Sequence, residues 1–178
     1  MRLPGLVGIF LAATTVGLFG QPKDFRIVAH FGSGHIPVME DDPARGDIGA
    51  WYLRLDALGV AKIEVIRNAP GKKTITSVKY SPEELKQISK AIVETRFFDL
   101  PSLLNGGLSD LPSYGLEVTM NGKTHRVALI APGNLQDEKA LRRFTSVWVA
   151  TCRKMPPKLD HGATLDLQDL VKGGGGNR

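Results

Sequence analysis

Cysteine is almost absent from this chain of 178 residues, which contains only Cys152. A single thiol cannot form a disulfide within the chain, so a hydrophobic core must stabilise the fold. Hydrophobic residues make up 42% of the sequence, enough for one sizeable core, and the length is that of a single domain.

The chain also lacks the features of a nucleic-acid-binding protein, although its net charge is +5. Its basic residues come in isolated pairs, such as Arg142-Arg143, interleaved with acidic residues. No aromatic platform of the kind on which single-stranded nucleic acids stack accompanies them. We therefore expect no nucleic acid partner.

Residues 1–20, MRLPGLVGIFLAATTVGLFG, have the layout of a secretory signal peptide. One Arg precedes an uncharged apolar run that ends in small residues. The segment predicts an exported protein, periplasmic or extracellular. Because roughly 18 apolar residues are near the minimum for a spanning helix, an uncleaved membrane anchor is the alternative.

Several segments alternate apolar and polar residues with the period of a half-buried strand. In DFRIVAHF, Arg26, Val28 and His30 lie on one face of the predicted strand. The other face carries Phe25, Ile27, Ala29 and Phe31. AWYLRLD and VAKIEVIR predict a hairpin, TITSVKY a short edge strand, and SYGLEVTMNGKTHRVALI a second hairpin. The Asn121-Gly122 pair of that hairpin suits a type I′ turn.

Two segments have the apolar period of a helix. In SPEELKQISKAIVETRFF, Ser81 and Glu84 form a capping box and Pro82 fits the first helical position. In DEKALRRFTSVWVATCRKM, the stripe of Leu141, Phe144, Trp148 and Cys152 predicts a second helix.

These elements predict one α+β domain over residues 24–156, with an antiparallel sheet of four or five strands and two helices packed on one face. Pro156 and Pro157 end the second helix. Residues 157–178, which finish in GGGGNR, are predicted to be a flexible tail.

One stretch, HFGSGHIPVMEDD at residues 30–42, contains candidate metal ligands or catalytic groups: His30, His35 and Glu40, followed by two aspartates. A zinc site needs ligands held in a tetrahedron, and the spacing here matches neither a zinc motif nor a calcium loop. We interpret the stretch as a solvated loop, with no metal or cofactor predicted. A small envelope metal-binding protein or hydrolase that uses this loop is the alternative.

Other candidate catalytic groups have structural interpretations. Cys152 lies on the apolar helix stripe, where free cysteine behaves as a buried hydrophobe, so we do not expect it to react with His125 as its base. Asp99 and Asp110 flank a Pro-containing loop and are typical turn residues. The GSG at residues 32–34 lacks the G-x-S-x-G pattern of a nucleophile elbow. No catalytic residue is predicted.

The stretch YSPEELKQISKAIVETRFFDLPS, then Asp110, SYGLEVTMNGKTHRV and a helix with Leu141 and Phe144, resembles the emfourin family of small inhibitors of thermolysin-like metalloproteases. The resemblance covers roughly residues 60 to 155. It rests on fold-determining residues, so no inhibitory residue is transferred. Members show a double glycine after the first strand, where this chain has only Gly71, and they lack the front piece from Asp24 to Asp56.

This resemblance implies a non-enzymatic exported domain whose loops contact a protein, such as a metalloprotease. We therefore expect an exported binding or interaction domain without catalytic activity, with protease inhibition as its most concrete form.

Overall fold

The computed structural model describes residues 22–34, 48–67, 73–107, 111–160 and 163–173. The predicted signal peptide or anchor at residues 1–20 lies outside them. The described strands are β1 (Arg26–Gly32), β2 (Ile48–Asp56), β3 (Val60–Arg67), β4 (Lys73–Lys79), β5 (Leu103–Asn105), β6 (Ser113–Met120) and β7 (Lys123–Ile130). The helices are α1 (Pro82–Glu94), α2 (Glu138–Cys152), α3 (Pro157–Asp160) and α4 (Ala163–Gly173).

The strands form one sheet in the order β4-β3-β2-β1-β6-β7-β5. All neighbouring pairs are antiparallel except β5 and β7, which are parallel. The β6–β7 hairpin turns at Asn121 and Gly122, whose φ angles are 54° and 72°, as the sequence predicted. The carboxylate of Asp24 accepts hydrogen bonds from both turn amides, which fixes the start of β1 beside this hairpin.

One face of the sheet carries the hydrophobic core. Its buried side chains alternate along each strand, as in Ile27, Ala29 and Phe31 of β1. The apolar residues of α1, α2 and α4 join them in a single cluster, at whose centre Trp51 and Trp148 pack with ring centroids 5.3 Å apart. The helices therefore all lie on this face.

Charged groups tie the first turn of α1 to the end of α2. Ser81 and Glu84 form the predicted capping box. The Glu84 carboxylate also binds Arg153 at 2.7 Å and Lys154 at 2.8 Å. The hydrogen bond from Lys154, together with that from the Ser81 amide, lowers the pKa of Glu84 to about 2.

The structure confirms the α+β class but corrects the predicted sheet and helix counts. Within the described residues the sheet has seven strands and is mixed, not antiparallel with four or five, and four α-helices are present in place of two. The three-residue β5 is too short to show a period, and its parallel pairing with β7 joins segments far apart in sequence. The two additional helices lie in the segment predicted as a tail, where α4 buries Ala163 and Leu167 against α2.

No helix in the described part of the chain is long and apolar enough to cross a membrane.

The packing of α4 is testable through Leu167, which is fully buried. We expect L167A to lower the free energy of unfolding by about 2–5 kcal/mol, because it removes buried methyl groups and leaves a cavity. Urea denaturation measures this loss. The matched control is L58A, since Leu58 is 76% exposed, and its effect should stay within about 0.5 kcal/mol. Equal, small effects of both variants would show that α4 does not pack on the core.

Candidate functional site

The face of the sheet opposite the helices is not covered by any described element. Every residue that the strand register places on this face is intermediate or exposed, and none is buried. We call it the open face. It includes three exposed apolar side chains, Ile66, Ile75 and Leu103.

A shallow groove of about 310 Å³ crosses the middle of the open face. The strand register explains its position, because His30 lies beside Tyr52 on one neighbouring strand and beside Gly115 on the other. Gly115 has no side chain to fill the space next to His30. The groove is lined by Arg26, Val28, His30, Tyr52, Arg54, Gly115, Leu116, Glu117 and Arg126.

The ring of His30 is held between its neighbours. It stacks on the ring of Tyr52, with the two ring centroids 4.8 Å apart. The guanidinium carbon of Arg54 lies 5.2 Å from the centroid of the Tyr52 ring. On its other side the ring of His30 lies against Gly115. A Cβ atom at position 115 would lie only 3.3 Å from Nδ1 of His30. A larger residue at position 115 would therefore displace the imidazole.

The electrostatic surroundings of His30 favour its neutral form. Partial burial lowers the pKa of His30 below 6.5, and the positive charge of Arg126 lowers it further. Neutral imidazole offers one donor and one acceptor at the groove wall. At neutral pH the positive charge of the groove therefore comes from its arginines.

The predicted candidates of the 30–42 stretch have different outcomes. His30 belongs to β1 and lines the groove, whereas His35 and Glu40 lie outside the described residues. Among the residues that the structure describes, no group of three His, Cys, Asp or Glu side chains is arranged to hold a metal ion. A metal or hydrolytic site that uses all three candidates stays a prediction.

The structure places His125 and Cys152 among different neighbours. A ring nitrogen of His125 lies 2.9 Å from the carbonyl oxygen of Leu100, and the ring packs against Phe97 and Phe98. Cys152 is buried in the core, and this burial raises the pKa of its thiol well above the usual value. A buried protonated thiol is a poor nucleophile, so the structural interpretation of Cys152 accounts for its surroundings.

Asp99 also has a local structural role. Its carboxylate accepts a hydrogen bond from Nε of Arg96 at 2.7 Å, three residues earlier. Asp110 lies outside the described residues, so its interpretation as a turn residue stays a prediction.

Sequence reasoning missed the groove because it examined each strand separately. Tyr52 and Arg54 belong to the strand predicted in AWYLRLD, and His30 belongs to the strand predicted in DFRIVAHF. The signal that brings them together is the pairing of β2, β1 and β6, which is a long-range property of the sheet. Gly115, an isolated glycine within a strand, was the one local sign, since such a residue often marks a close approach.

The sequence matches no protein-family model, and no curated protein matches it. The resemblance to emfourins therefore remains a prediction.

The pKa of His30 tests the groove geometry. We expect an NMR titration of its ring signals to give a pKa below 6.5, and R126Q to raise it by removing a nearby positive charge. As the pH falls, the imidazole of His30 is protonated at a higher pH in the unfolded chain than in the folded chain. The contribution of His30 to stability is therefore present above about pH 6.5 and is lost as the pH falls toward the folded-state pKa.

The control variant is R142Q, which removes an arginine from α2, on the helical face. It should leave the titration of His30 unchanged. A pKa of His30 at or above 6.5, or equal responses to both variants, would contradict the arrangement of Arg126 beside His30.

Proposed function

We propose that this chain is an exported, non-catalytic binding domain that binds a protein partner through the open face of its sheet. The observation that carries the proposal is the groove in which Tyr52, His30 and the arginines lie together on a surface that no described element covers. Tyrosine and arginine are enriched among the residues that dominate the free energy of protein–protein binding.

The composition of the open face supports a protein partner. Single exposed apolar side chains are normal on a protein surface, but here Ile66 and Ile75 are cross-strand neighbours of the charged residues Lys73 and Glu64 on the same sheet face. The open face therefore has a charged groove near its middle and apolar side chains toward its edges, and both kinds of group make contacts in protein interfaces.

Export rests on the signal-like segment at residues 1–20. Protease inhibition is the specific form of the proposal that the emfourin resemblance implies. The quoted motif residues form α1, its capping box and the β6–β7 hairpin, which are elements of the scaffold. They support a related scaffold and identify no inhibitory residue.

Affinity capture from an envelope extract tests the role of the open face. We expect the wild-type protein to retain a partner that the double variant Y52A/R54Q loses, because both changes remove contact groups from the open face while the core stays intact. The control K86Q/V93A changes two exposed residues of α1 and should retain the partner. Thermal unfolding by circular dichroism confirms that all three proteins are folded. Equal capture by both variants would contradict binding through this face.

Inhibition of purified thermolysin tests the more specific form. We expect peptide hydrolysis to slow as the concentration of this protein increases, with half-inhibition shifted to higher concentration by Y52A/R54Q and not by K86Q/V93A. No inhibition at a large excess of the protein would contradict protease inhibition of this enzyme class and would leave the binding function to the capture experiment.

A further inference from the structure

We propose that the groove on the open face binds the carboxylates of an acidic segment of a protein partner, held by Arg26 and Arg126. This inference rests on the binding function proposed above and specifies the chemistry of the partner.

The first step is that these two guanidinium groups have no partner in the described part of the chain. No ion pair or hydrogen bond joins the side chain of Arg26 or Arg126 to another described residue. Arg54, in contrast, binds Glu64 at 3.2 Å. An arginine without a partner on a binding surface is available for a carboxylate of another molecule.

Two acidic residues are cross-strand neighbours of these arginines, and neither forms an ion pair with them within 4.0 Å. Asp56 is the cross-strand neighbour of Arg26, but its Oδ1 accepts the backbone N–H groups of Leu58 and Val60 at 3.0 and 2.9 Å in the β2–β3 turn. Glu117 lies opposite Arg126 and is the one carboxylate among the described residues that line the groove. The three lining arginines therefore leave a net positive charge there.

The second step is the spacing of the arginines. Arg26 is on β1 and Arg126 is on β7, with β6 between them. Two strand spacings, roughly 10 Å, separate their backbones across the sheet. On β6, Arg26 pairs with Thr119 and Arg126 with Glu117, so the two arginines are also offset by two residues along the strands. Both arginines line the groove, and Gly115 leaves space at its end beside His30. The planar guanidinium, with its fork of N–H donors, matches the geometry of a carboxylate.

The charges and the shape of the open face favour a protein segment over other anions. The open face mixes cations with the carboxylates of Asp56, Glu64 and Glu117. A folded partner can place a complementary charge opposite each of them, whereas a uniformly anionic lipid surface can match only the cations. The groove is also shallow, whereas sites for small molecules enclose most of the ligand surface. An acidic segment of a folded partner can match both the charges and the apolar residues of this face.

The test uses a fluorescein-labelled oligo-glutamate peptide as the probe and measures its binding to the full chain by fluorescence anisotropy at low salt. We expect saturable binding that R26Q/R126Q weakens roughly tenfold or more, since two charge-assisted contacts are removed. The charge-matched control K86Q/K139Q removes two exposed lysines from the helical face and should bind as the wild type does. Equal weakening by both double variants would overturn the proposal.

A second readout reports on the location of the bound carboxylates. Binding near His30 should raise the pKa of its imidazole, because a negative charge favours the protonated ring. The charged and titratable groups that face His30 are Arg26 on its own strand, Tyr52 and Arg54 on β2, Glu117 on β6 and Arg126 on β7. A titration of His30 that the peptide leaves unchanged would overturn binding in the groove.

Vesicles of phosphatidylglycerol distinguish the source of the anion. We expect them to bind much more weakly than the peptide, and preference for the vesicles would overturn an acidic protein segment as the occupant.

If oligo-glutamate fails to bind while Y52A/R54Q still abolishes capture of a partner, the binding function stands and only the acidic chemistry is wrong. If capture is also independent of the open face, the proposed function fails as well.

Discussion

Side chains alternate between the two faces of a strand, and the described helices of this protein cover only one face of its sheet. Consecutive residues of each strand therefore belong to opposite faces of the sheet. Phe31, Trp51 and Tyr114 point into the core around Trp148, and the residues that precede or follow them point outward. A shift of one residue in the pairing of β1 would bring His30 into the core and expose Phe31, so burial of the aromatic row fixes the register.

The same constraint assembles the groove. Because Phe31 packs against Trp51 and Tyr114 in the core, His30 faces outward. The pairing with β2 and β6 then gives His30 Tyr52 and Gly115 as neighbours. Partial burial between these neighbours lowers the pKa of its imidazole, and the positive charge of Arg126 lowers this pKa further. The chemistry of the open face is thus a consequence of how the opposite face packs, which ties a candidate function to the stability of the fold.

Local signals were sufficient for most of the scaffold. The capping box at Ser81 and the Asn121-Gly122 turn are short-range patterns, and the structure confirms both. The four-residue stripe from Leu141 to Cys152 is buried as predicted. In contrast, β5 is three residues long, and α4 depends on its packing against α2, so neither has a strong local pattern. For the same reason, the convergence of Arg26, Tyr52 and Arg126 required knowledge of the strand order.

The central claim, that one face of the sheet is exposed to solvent, is tested most directly by NMR with a soluble paramagnetic agent. The account predicts strong relaxation enhancement for the methyl groups of Val28 and the ring of Tyr52, which lie on the open face. It predicts little for the methyl groups of Val127, which are fully buried on the other face. Protection of Val28 and Tyr52 to the level of Val127 would contradict it, because the face would then be covered in solution.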